Sequence, residues 1–131
     1  MIEIGPIGAI AFDLDGTLVD SAPDIAAALD SALEEEGLRR FDATTVQRWI
    51  GDGPDVLIGR ALDTQGLVDA PAELRTRLRR RFDAYTLGAP LERGTVFSGV
   101  VDLLEQLHAR LPMVVITNKP SALARVVVEA A

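Results

Sequence analysis

Hydrophobic and polar positions follow two periods along this chain. Residues 7–13 are apolar or small until the run meets Asp13, a pattern that predicts a buried strand. From Ser21 the period becomes helical. Ile25, Leu29, Ala32 and Leu33 fall on one face, with Ser21 as the expected N-cap, Pro23 in the first turn and Gly37 as the stop. Glu34–Glu36 are expected to form a solvated helix end. A second helix is predicted from about Ala43 to Ile50, ending at Gly51-Asp52-Gly53. A third carries Val56, Leu57, Ala61 and Leu62. A fourth, entered through Pro71 and left at Gly88 and Pro90, carries the stripe Leu74, Leu78, Phe82 and Tyr85. Residues 18–90 therefore read as a helical block inserted after the first strand. Residues 91–131 return to an α/β pattern. Gly99 opens a helix with Val100, Leu103, Leu104 and Leu107 on one face, Pro112–Ile116 predict a second buried strand, and a last amphipathic helix begins at Ser121. Two strands, each followed by a helix, predict an open α/β sheet. In such sheets ligands bind beyond the carboxyl ends of the strands.

Both predicted strands end in chemistry. The first delivers Asp13-Leu14-Asp15-Gly16-Thr17. At a strand end, side chains two residues apart point to the same side, so Asp13 and Asp15 can face one ligand while Leu14 anchors in the core. Two close carboxylates bind a hard divalent cation such as Mg²⁺ or divide the labour of nucleophile and general acid/base. Gly16 allows a tight turn, and Thr17 offers a hydroxyl and an N–H to a phosphate. A bare Asp-x-Asp is ordinary turn chemistry; the strand in front of it and the Gly-Thr behind it favour function. The second strand ends in Thr117-Asn118-Lys119-Pro120, a hydroxyl, an amide and a cation suited to phosphate oxygens and the charge that develops on them. Lys119 is the only lysine in the chain. The Arg75–Arg81 basic run and the single histidine, His108, read as a solvated helix face and a structural residue.

The run DLDGTLVDS resembles the first motif of the haloacid dehalogenase superfamily in its phosphatase form, and TNKP resembles the second motif as found in phosphoglycolate phosphatases. Trp49–Gly53 and Arg60-Ala61-Leu62 resemble the cap of that branch. The resemblance implies a Rossmann-like parallel sheet core, from 1–17 and 91–131, with a helical cap over 18–90. It implies that Asp13 is a nucleophile forming an aspartyl-phosphate and that Asp15 is the acid/base. Mg²⁺ would be held by the Asp13 carboxylate and the backbone carbonyl of Asp15, and phosphate by Gly16, Thr17, Thr117, Asn118 and Lys119. The substrate would be a small phosphorylated metabolite, phosphoglycolate first. A phosphosugar mutase of the same superfamily and a non-catalytic, truncated chain are the alternatives.

Composition narrows the partners. A net charge of −7 disfavours nucleic acid. The apolar N-terminal run is too short for a membrane span, so no membrane partner is expected. The chain has no cysteine, which is compatible with the cytoplasm, the expected location. After Lys119 there is no further lysine or aspartate, and Glu129 is the one acid. The superfamily's later lysine and its acidic pair would thus lie outside these 131 residues, and an incomplete form is the expectation. Without the strand bearing that pair, the first strand would expose an apolar edge and invite self-association.

Overall fold

The computed structural model describes residues 5–131; the first four positions of the 1–17 segment lie outside the described residues. The elements run β1 (Ile10–Phe12), β2 (Val19–Asp20), α1 (Ala22–Glu35), α2 (Ala43–Gln47), α3 (Pro54–Thr64), α4 (Ala72–Gly88), β3 (Thr95–Val96), α5 (Val100–His108), β4 (Met113–Val115) and α6 (Ser121–Ala130). β1 and β4 pair in parallel, with Ile10 opposite Met113 and Phe12 opposite Val115. The fold is α/β, and α1 to α4 stand between the two strands in the sequence. No helix among the described residues is long and apolar enough to cross a membrane.

The helical block has its own apolar centre. Leu29, Leu33, Val46, Ala61, Leu62 and Leu78 are fully buried there, one stripe from each helix, as a 3.6-residue period requires. α1 stops by a Schellman arrangement. Gly37, at φ +68, donates to the Glu34 carbonyl, and Leu38 donates to that of Leu33. α2 is shorter than predicted. After Gln47 the backbone tightens to three-residue turns, with Trp49 N–H on Val46 O at 2.9 Å. Trp49 then packs edge-on against Phe41, ring centroids 4.9 Å apart. The acidic end of α1 and the basic run of α4 are less solvated than expected, because these helices lie side by side. Arg77 Nε is 2.7 Å from Glu36 Oε1 and Arg81 Nε 3.2 Å from Glu35 Oε2. Tyr85 donates to Glu35 at 3.0 Å.

The strands depart from the expectation of burial. β1 covers only residues 10–12 of the predicted 7–13, and Val114, Val115 and Ile116 are exposed. The cause is the layering. The sheet has two strands, and only Leu14, Leu18, Val19 and Val127 form a buried cluster beside it. α5 buries no side chain fully.

One feature of the connections had no signal in the hydrophobic pattern. The chain leaving the sheet and the chain returning to it pair as an antiparallel ribbon, Val19 with Val96 and Asp20 with Thr95. Asp24, in the first turn of α1, grips the returning chain. Its carboxylate accepts the backbone N–H groups of Glu92, Arg93 and Gly94 at 2.9, 2.8 and 2.6 Å. Gly94 is required at that contact, since a Cβ there would overlap the carbonyl oxygen of Asp20.

Candidate active site

The carboxyl ends of β1 and β4 lie side by side because the two strands are parallel and in register. Asp13 and Asp15 follow one strand, and Thr117, Asn118 and Lys119 follow the other. All five line one cavity of about 40 Å³. Its opposite wall comes from the helical block: Ile50, Gly51, Gly53, Pro54, Leu57 and Phe82. The site is therefore an interface between sheet and helices.

Asp15 is the better-held carboxylate. Its Oδ1 accepts the Ser21 hydroxyl at 2.5 Å and lies 3.1 Å from Lys119 Nζ. Both charged side chains of that pair are mostly buried, 12% and 7% exposed. Asp13 is exposed; its Oδ1 accepts the Leu14 N–H at 2.8 Å, which fixes the carboxylate over its own backbone. Thr117 Oγ1 accepts the Lys119 N–H at 3.1 Å, tightening the turn that aims Lys119 back toward Asp15.

Three predicted residues make hydrogen bonds within the chain. Gly16 and Thr17 are absent from the cavity lining. Gly16, at φ +79, donates its N–H to Val19 O at 2.8 Å, and Thr17 donates to Leu14 O at 3.2 Å. These amides close the turn that follows β1. Asn118 lines the cavity, yet its side-chain amide donates across it to the Gly51 carbonyl at 2.6 Å. Its partner is the helical block. Gly53 approaches the Asn118 backbone so closely that a Cβ would stand 3.2 Å from Asn118 O.

Two contributors escaped the sequence reading. Ser21 was expected to cap α1, but its hydroxyl makes no cap bond; it is buried and spends its proton on Asp15. Arg60 braces the loop above the cavity, donating to Trp49 O at 2.7 Å and to Asp52 Oδ2 at 2.7 Å. An arginine beside a Gly-Asp-Gly loop hints at such a brace, but no local pattern specifies it.

The donor set fits a hard divalent cation in part. Asp13 and Asp15 supply carboxylate oxygens to one cavity, and Mg²⁺ is commonly held by one or two carboxylates with water and phosphate oxygens completing its shell. Among the described residues no group of three or more acidic, histidine or cysteine side chains gathers for a metal.

Comparison with known proteins gives a consistent neighbourhood. A family model described as haloacid dehalogenase-like hydrolase matches residues 7–131. A phosphoglycolate phosphatase of Pectobacterium atrosepticum is 42% identical over 122 residues, covering 92% of this chain and 52% of its own length. That of Escherichia coli K12 is 44% identical, covering 99% and 58%. Among solved structures, a predicted phosphoglycolate phosphatase from Haemophilus somnus superposes with a TM-score of 0.84 at 34% identity, over 93% of this chain and 56% of its own. A haloacid dehalogenase-like hydrolase from Streptococcus pneumoniae does so at 0.76 and 27%, over 95% and 55%. The chain spans about half the length of the curated relatives it matches.

Proposed function

We infer the function from one premise: the chain belongs to the haloacid dehalogenase-like hydrolase family. The reading it supports best is phosphatase chemistry on a small phosphate monoester, with phosphoglycolate as the leading substrate because the relatives above are phosphoglycolate phosphatases. The observation that carries it is the meeting of two carboxylates, Asp13 and Asp15, with Thr117 and Lys119 in one cavity under a helical cap.

In this reading Asp13, exposed and fixed by the Leu14 amide, attacks phosphorus in line. The bond from phosphorus to the substrate's ester oxygen breaks and an aspartyl-phosphate forms. Asp15 donates its proton to the departing oxygen, then takes one from the water that attacks the aspartyl-phosphate, so phosphate leaves and both carboxyl groups are restored. The Ser21 and Lys119 contacts hold Asp15 in one orientation for both steps. The Thr117 hydroxyl stands where it can donate to a phosphoryl oxygen. Mg²⁺, held by Asp13 and Asp15, would supply charge neutralisation for the phosphoryl oxygens. A cytoplasmic setting belongs to the same reading.

The test is phosphate release from phosphoglycolate by the full-length protein in the presence of Mg²⁺, with Asp13→Asn as control. Release abolished by Asp13→Asn is the expected result. Release undiminished by that change, or no release at all, overturns the reading; phosphate binding without turnover would indicate a non-catalytic chain.

A further inference from the structure

We propose that Ser21 is a positioning residue for proton transfer: with Lys119 it occupies Oδ1 of Asp15, so that Oδ2 is the oxygen that delivers the proton to the departing group. The inference rests on the phosphatase reading and goes beyond it, naming the atom that carries the proton and the residue on which leaving-group dependence turns.

The turn after β1 brings Ser21 to this contact. The Leu14 carbonyl accepts the N–H groups of Thr17, Leu18 and Val19 at 3.2, 3.0 and 3.2 Å, so the chain folds back on itself. Ser21 then leads into α1, where its own carbonyl accepts the Ile25 N–H at 2.9 Å. Its backbone is held by the helix, and its hydroxyl donates to the strand-end carboxylate, Ser21 Oγ to Asp15 Oδ1 at 2.5 Å. A serine at a helix start ordinarily spends its oxygen on an N–H two or three residues on; this one makes no such bond. Ser21 is 1% exposed, and Asp15 is its hydroxyl's one hydrogen-bond partner among the described residues.

Donor and acceptor capacity then places the proton. Lys119 Nζ stands 3.1 Å from the same Oδ1, and an ammonium has donors only. A proton on Oδ1 would face those N–H groups, so the neutral carboxyl carries its proton on Oδ2. Among the described residues Oδ2 accepts no hydrogen bond, and the one buried side-chain atom left unpaired there is Arg81 Nη1. Oδ2 is therefore open to the cavity that Asp15 lines. As an Asp13 oxygen bonds to phosphorus, the bond from phosphorus to the ester oxygen breaks and the proton passes from Oδ2 to that oxygen. The charge left on Asp15 is met at Oδ1 by a hydroxyl and an ammonium already in place.

The hydroxyl has a task that Lys119 alone does not perform. With one contact the carboxyl group can still turn about its bond to Cβ; a second, from another direction, fixes that torsion and with it the aim of Oδ2. Removing the hydroxyl loosens the aim and leaves Asp13 and Thr117 on their own supports, the Leu14 and Lys119 amides. A misdirected general acid is felt only where the departing oxygen needs a proton. An alkoxide needs one. Acetate, the ordinary carboxylate released from acetyl phosphate, leaves without it. Loss of the Ser21 hydroxyl is thus selective by leaving group, which loss of a packing contact is not.

The experiment compares kcat/KM for phosphoglycolate and for acetyl phosphate, using the full-length protein with Mg²⁺. This parameter covers the steps up to the aspartyl-phosphate and excludes its hydrolysis. Ser21→Ala is expected to lower it at least about tenfold for phosphoglycolate and less than about threefold for acetyl phosphate. Asp15→Asn, which removes the acid itself, should widen the same split. Ser21→Cys, close in shape with a weak donor, should show the split in smaller degree, and it serves where circular dichroism finds the alanine variant unfolded. Equal losses on both substrates would make Ser21 a packing residue and overturn the proposal. So would unchanged values on both. Asp13→Asn distinguishes this failure from failure of the phosphatase reading. That reading falls, and the inference with it, if release survives Asp13→Asn or the unsubstituted protein releases nothing. If Asp13→Asn abolishes release while Ser21→Ala treats both substrates alike, the reading stands and this inference alone falls.

Discussion

The side-chain amide of Asn118 reaches across the cavity mouth and donates to the carbonyl of Gly51 at 2.6 Å. One end of this bond sits at the tip of β4 and the other in the loop between α2 and α3, so it ties sheet to helical block directly above the carboxylates. Asn118→Ala removes the bond at a partly solvated position, which costs about 1 kcal/mol. Hydrogen exchange in the 51–57 segment should then speed up about fivefold, while exchange in the α1–α4 core stays unchanged. Equal exchange in both proteins would show that the bond does not hold the loop.

Asp24, in the first turn of α1, is a second such tie. It is buried, 8% exposed, and takes three backbone N–H groups. Asp24→Ala leaves those amides without their acceptor and should cost on the order of 2–4 kcal/mol, seen as a fall in Tm of roughly 10 °C.

Gly94→Ala tests the same junction from the other strand. A methyl there meets the Asp20 carbonyl, with Asp24 Oδ2 2.9 Å away, so the β2–β3 ribbon must shift. The expected loss is about 2 kcal/mol or more. A variant with unchanged Tm would contradict the packing described here.

Glu36 governs part of the acid response. Its hydrogen bond to Arg77 holds the carboxyl below its ordinary value of 4.5. A depressed folded-state value means that the contribution is present above the unfolded value and is lost as pH falls through the folded one. Glu36→Gln should therefore lower Tm at neutral pH. The gap to the unsubstituted chain should close on acidification below about pH 4.5. Thermal melts between pH 2 and 7 check this, and a gap that persists at the acid end would contradict the linkage.

The sheet surface should drive association between copies. β1 and β4 form a two-stranded sheet, and Val114 and Ile116 are 55% and 67% exposed. Strands that present free edges and apolar side chains pair readily with other chains. Sedimentation is expected to show mass rising with concentration, and Val114→Lys should suppress that rise with little change in Tm.

The candidate site was legible in the sequence because its residues are local. Asp13 and Asp15 are two residues apart at a strand end, and a period of two places them on one side whatever else the chain does. Thr117–Lys119 announce themselves in the same way at the second strand. The helices were legible from their period, with Leu29, Leu33, Leu62 and Leu78 all reaching the core. What each polar group does within the site was not legible, because its partner lies far along the chain. Asn118 turns to Gly51, 67 residues away, and Asp24 grips backbone 68 to 70 residues on. The amides of Gly16 and Thr17 bond to Val19 and Leu14 and close a turn. A hydrogen-bond donor is committed by whichever acceptor the packed chain brings within 3 Å. Sequence alone thus determined which groups could do chemistry and on which elements they stand. The tertiary structure decided which of them face the cavity, that Ser21 and Lys119 share Asp15, and that the short strands remain exposed.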